Sequence, residues 1–103
     1  MASGRLGAND LAATTNTTVY TVPTGKLATF NVSLTNRNSV PVSVRLAIAS
    51  AASPTNSEWL FYDYVLNGQN TVERTGLVAD AAKLIVAYAS ATGVSVVVYG
   101  LED

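Results

Sequence analysis

The sequence has neither cysteine nor histidine. Without cysteine there is no disulfide framework and no thiolate metal site, and folding has no need of an oxidising compartment. Without histidine the commonest general base and the commonest metal ligand are both missing. Charge is scarce too. Only 13% of the 103 residues are Asp, Glu, Lys or Arg, against roughly a quarter in an average soluble domain. Net charge is −1, which leaves no basic field for nucleic acid and no polybasic stretch for anionic lipid. Long apolar runs are lacking: none approaches the ~20 residues of a membrane-spanning helix. Arg5, Asn9 and Asp10 interrupt the run that a signal peptide needs. No nucleic acid, no membrane and no signal peptide are therefore expected.

What is present is valine and threonine, which favour strands, with asparagine, serine and glycine, which favour turns. Residues 1–16 read as a loose arm, with "ANDLAA" able to form one helical turn capped by Asn9 or Asp10. The strand pattern starts at Thr17, with "TTVYTV", followed by the turn "PTGK". In "LATFNVSLT" Phe30, Val32 and Leu34 share one face. In "VPVSVRLAIAS" Val40, Val42, Val44, Leu46 and Ile48 do the same, and Pro41 sits on the polar face near the start. "WLFYDYVL", "TVERTGLV", "LIVAYAS" and "GVSVVVYGL" complete the set. A helix over the alanine-rich "LVADAAKLIVAYASA" is the rival reading, and Ile85, Val86, Tyr88 and the following "TG" favour the strand.

Turn signals every ~8–12 residues point to an all-β chain, an antiparallel β-sandwich (jelly-roll or Ig-like) of about seven strands. An extended N-terminal arm, 1–16, precedes the sandwich domain, 17–103. If Gly68 and Gln69 form a two-residue hairpin turn, Val65 meets Val72 and Asp63 meets Arg74. The loop "ATG" places Gly93 where positive φ is needed, with Tyr88 opposite Val96. Trp59 and Phe61 then share one face of their strand, and Leu60, Tyr62, Tyr64 and Leu66 the other. A strand apolar on both faces has more than its own core to serve.

Catalytic constellations are not found. A serine nucleophile has no histidine base, and the seven carboxylates show no paired spacing. "PTGK" does not lead into a helix as a phosphate loop must. The chain is expected to be no enzyme and to carry no cofactor and no metal. Scattered arginines do not make a basic groove around the aromatics, as a nucleic-acid platform requires.

The stretches "NTTVYTVPTGKLATFNVSLTNRNSVPVSVRLAIA", "EWLFYDYVLNGQNTVERTGLV" and "GVSVVVYGLED" together resemble small virion structural proteins of tailed bacteriophages, cyanophage-like ones in particular. That resemblance implies a compact β-sandwich made in the host cytoplasm and carried in many copies on the capsid or tail surface. It also implies self-association as a trimer and a second virion partner such as the major capsid protein. Capsid decoration (cement) is the reading taken. A tail, baseplate or fibre attachment domain, binding a receptor or carbohydrate, is the alternative. The resemblance supplies no functional residue. From the residues themselves, Arg5, Leu6 and Leu11 of the arm and Trp59, Phe61, Tyr62 and Tyr64 are the candidate protein–protein contacts. Removing 1–16 is expected to leave a folded β domain that no longer assembles.

Overall fold

The computed structural model describes residues 3–103. Met1 and Ala2, the first residues of the expected arm, lie outside the described residues. The strands are β1 Ser3–Leu11, β2 Thr17–Thr21, β3 Ala28–Asn36, β4 Val42–Ala49, β5 Trp59–Leu66, β6 Thr71–Ala79, β7 Leu84–Ala89 and β8 Val94–Glu102. A single 3-10 turn, Asn56–Glu58, precedes β5. One sheet runs β1-β8-β3-β6 and the other β2-β7-β4-β5, and all the strand pairs are antiparallel. An all-β sandwich is what the turn spacing predicts, with one strand more than the seven counted from sequence. The chain changes sheet at each connection except β4–β5.

Period-two patterning builds the core. Phe30, Val32 and Leu34 of β3 and Val94, Val96 and Val98 of β8 are buried from one sheet. Val42, Val44 and Leu46 of β4 and Ile85, Ala87 and Ala89 of β7 meet them from the other. Alternation is strict on β3 because one face is packed and the other is open, so a one-residue slip would invert every side chain. Val40, expected on the buried face, is exposed instead. The strand begins only at Val42, after Pro41, which has no N–H for the ladder.

Strand structure does not begin at Thr17. Ser3–Leu11 is itself a strand, paired along β8 from Ser3↔Leu101 to Leu11↔Val94. The expected helical turn at "ANDLAA" is therefore extended, since each residue from Ala8 to Leu11 has a ladder partner on β8 that outweighs a weak local signal. Small residues make the fit. A Cβ on Gly7 would lie 2.3 Å from the carbonyl oxygen of Val19, so only glycine lets β1 approach β2 there. Leu11 is 2% exposed and belongs to the core.

Both expected hairpins are corners between sheets. β5 pairs with β4 and β6 with β3, so Val72 faces Leu34 and Arg74 faces Val32 rather than Val65 and Asp63. Likewise Tyr88 faces Arg45, and Val96 faces Leu34 and Asn9. The turn residues themselves are as expected: Gly93 has φ 90°, and Asn70 N–H donates to the Asn67 carbonyl at 3.3 Å. A short turn serves an in-sheet hairpin and an inter-sheet corner equally well. Burial decides, because two core-facing strands of four gain more by stacking than by lying side by side.

Asn36 holds one end of the sandwich together. Its fully buried amide donates to the carbonyls of Val40 (2.8 Å), Leu66 (3.0 Å) and Asn67 (3.3 Å), and its Oδ1 accepts from Asn38 N–H at 2.9 Å. The β3–β4 and β5–β6 connections are tied through this one side chain.

Candidate protein–protein contact surface

β5 is an edge strand with β4 on one side only. Its ladder slips twice: Val44 pairs with Tyr64 and Leu46 with Phe61, and then Ala47 with Trp59. Leu60 is the extra residue of one bulge. Tyr62 and Asp63 together oppose Arg45 in the other, where Asp63 takes φ 53°. Bulges re-aim side chains and strengthen local twist. Simple alternation therefore fails here, and Trp59 and Phe61 do not share a face.

On the outer side of the sheet, Trp59 covers Ala47, Ala49 and Val86, which are fully buried beneath it although they belong to the outward row. Tyr62 stands edge-on to Trp59, with ring centroids 5.3 Å apart at 74°. The Arg45 guanidinium lies between two rings, 4.0 Å from the centroid of Tyr62 and 4.1 Å from that of Tyr88. Its Nε donates to Asp63 Oδ1 at 2.6 Å, and this bond holds the guanidinium pKa above its ordinary value. The stack is a cation–π sandwich fixed by one carboxylate.

On the core side, Phe61 packs against the main core, and Tyr64 lies tilted to it with centroids 5.7 Å apart. Arg74 of β6 reaches over Phe61, its guanidinium 5.1 Å from the ring centroid. No carboxylate lies within 4 Å of it among the described residues. Its neighbour Glu73 instead accepts a hydrogen bond from the Tyr99 hydroxyl, on the outer face of the other sheet.

β5 is thus a rim with aromatic rings on both sides and a guanidinium laid over each group. Leu60, Tyr62, Tyr64 and Val65 are four of the eight large hydrophobic side chains exposed among the described residues, Tyr62 at 55% and Val65 at 58%. Exposed apolar side chains gathered on one strand make it a candidate contact site, whereas scattered ones would not. Tyr, Trp and Arg are also the residues that dominate the energetics of interfaces.

No protein-family model matches the chain, and no curated protein matches it. Among solved structures it is similar to one described as "Cyanophage Pam1 capsid asymmetric unit", at 15% identity and a TM-score of 0.41, over 96% of this chain and 87% of that one.

Of the contacts expected from sequence, Trp59, Phe61, Tyr62 and Tyr64 fall within one rim, divided between its two sides. Arg5, Leu6 and Leu11 lie elsewhere, on β1. Arg5 is exposed, while Leu6, the bulged residue of β1, is half-buried against the core. Leu11 is spent wholly on its own sandwich. Arg45, Tyr88 and Arg74 complete the rim and were not singled out. Arg45 meets Tyr88 because β4 and β7 are neighbours in their sheet, and Arg74 reaches Phe61 from the opposite sheet, so neither contact follows from alternation along one strand.

Proposed function

We propose that this chain is a non-enzymatic virion structural protein of a tailed phage, a capsid decoration (cement) protein that binds the lattice as a homo-oligomer. The observation that carries the reading is the β5 rim. A domain with little charge concentrates its exposed aromatic and apolar side chains on one edge strand, which suits repeated contact with protein. The strand order, with the chain passing between two four-stranded sheets, is read as a jelly roll, an arrangement that viral capsid domains share with lectins and cupins. Fold alone does not choose among these, and the exposed rim supports the reading as a protein-contacting domain. The resemblance of the sequence to small phage virion proteins adds the particle. A glycan-binding reading is weakened at this rim, because Arg45 occupies one face of both Tyr62 and Tyr88, where a sugar ring would stack.

The test is to locate the chain in particles of the phage that encodes it, by electron cryomicroscopy with tagged and untagged protein. Density on the capsid lattice is expected. Density confined to tail, baseplate or fibre assigns the attachment role instead, and absence from the particle overturns the virion reading. Particles lacking the chain are expected to lose their contents at a lower temperature; equal heat resistance excludes cementing.

A further inference from the structure

We infer that the β5 rim is built to receive a different protein that presents a carboxylate between apolar side chains, with Arg74 as its anchoring cation. Three observations converge. Arg74 is held on the Phe61 ring with no carboxylate partner within 4 Å among the described residues, so its fork of N–H donors is oriented but unspent. Arg45, the other guanidinium of the rim, engages Asp63 through Nε alone and is clamped between two rings. The apolar surround on Arg74's own side of β5 is supplied by Phe61 and the exposed ring of Tyr64.

The same observations argue against a second copy placed symmetrically on this rim. A two-fold contact requires a self-complementary patch. This patch offers an unpaired cation and no unpaired carboxylate: Asp63 is committed to Arg45 and Glu73 to Tyr99 on the other face. Strand addition is disfavoured too, because two bulges within eight residues leave no regular ladder to extend. Even with both sides of the strand taken together, the four half-exposed apolar side chains of β5 leave on the order of 300 Å² of apolar surface, well short of the ~800 Å² per partner of a stable interface. The rim is a hot spot within a larger contact rather than a complete one.

This inference rests on the reading of the rim as a contact surface, and its test is separable from that of the particle. The probe is a short capped peptide alternating leucine with glutamate, with the lysine version as its counterpart. Binding is followed by Trp59 fluorescence and by the side-chain N–H signals of Arg74 and Arg45. The glutamate peptide is expected to bind, with about tenfold loss in the lysine version and about tenfold loss in Arg74→Met, which keeps the aliphatic stem over Phe61. Arg74→Lys is expected to fall between, and Arg5→Met, on the far edge strand, to bind as the parent does. Thermal melting verifies that each variant is folded. Equal binding by Arg74→Met, or equal binding of the two peptides, overturns the inference. So does self-association of the chain that Val65→Lys abolishes. Particles that take up parent and Arg74→Met alike remove this inference and keep the assembly role. Peptide discrimination with no particle uptake does the reverse.

Discussion

Asp63 Oδ1 accepts the Arg45 Nε–H at 2.6 Å from a left-handed backbone, φ 53°, in the middle of an edge strand. Asparagine and aspartate tolerate that conformation, while a β-branched residue does not. Asp63→Asn and Asp63→Gly are expected to stay within about 1 kcal/mol of the parent, since an exposed ion pair contributes little. Asp63→Val is expected to cost about 2 kcal/mol by straining the bulge. Urea denaturation measures the difference. In all three variants the near-ultraviolet dichroism of the Tyr62–Arg45–Tyr88 stack is expected to change, because the carboxylate that fixes the guanidinium is gone. An unchanged signal would show that the rings alone hold it.

Tyr20 crosses from β2 to donate its hydroxyl to Glu102 of β8, linking the two sheets. Burial first, and then the Glu102 carboxylate, push the Tyr20 pKa well above its ordinary value. The folded state therefore keeps a proton that the unfolded chain releases near pH 10. Stability from this group is fully present below that pH and declines above it, as the unfolded state comes to bind fewer protons. Tyr99 is shifted the same way by Glu73 and adds to the slope. Chemical denaturation between pH 9 and about 11 is expected to show a falling stability, and Tyr20→Phe is expected to flatten the curve. An equal slope in Tyr20→Phe would assign the effect elsewhere.

The alternation in Ala28–Asn36 is legible as sequence because that strand packs one face against the core and leaves the other open, and in Val42–Ala49 it holds as far as Leu46, beyond which Trp59 buries the outward Ala47 and Ala49 as well. Turn residues were legible for the same local reason, since Gly25 and Gly93 both sit at positive φ where their turns demand it. Sheet assignment was not legible. Asn67–Asn70 looks the same whether the next strand lies beside the last or over it. The first nine described residues do not read as a strand because the composition of "SGRLGANDL" carries almost no strand propensity. Its strand character comes from β8, whose free edge it fills. Within the candidate surface the aromatics of β5 were identifiable, but their division between two sides depends on bulges at Leu60 and Asp63 that no period-two count foresees.

Asn36 makes four hydrogen bonds from a position with no exposed surface. Asn36→Ala removes all of them and leaves the carbonyl of Leu66 among groups that lose a donor in a buried site. The expected loss is about 3 kcal/mol, since each stranded buried polar group costs roughly 1–3 kcal/mol and some regain water. Thermal melting compares the variant with Asn38→Ala, which severs only an exposed bond to the Thr92 carbonyl among side-chain contacts and is expected to cost under about 1 kcal/mol. Equal losses would mean that the network is no more than a surface turn.

The N-terminal segment decides how the chain can be cut. A free arm could be removed without harm to the sandwich, and that is what composition suggests. The pairing argues otherwise. β1 supplies the whole outer ladder of β8 and places Leu11 in the core at 2% exposure. Deleting residues 1–11 opens that ladder and leaves a leucine-sized void against Val94, so the truncated chain is expected to melt far below the parent or not to fold. Two point variants separate the causes. Leu11→Ala creates the void alone, at about 2–5 kcal/mol. Gly7→Ala drives a methyl group against the Val19 carbonyl and is expected to cost about 1–3 kcal/mol by prising β1 from β2. Circular dichroism melts of the three proteins give the order. A truncation that melts with the parent would return the segment to the status of an arm, free to bind a neighbour.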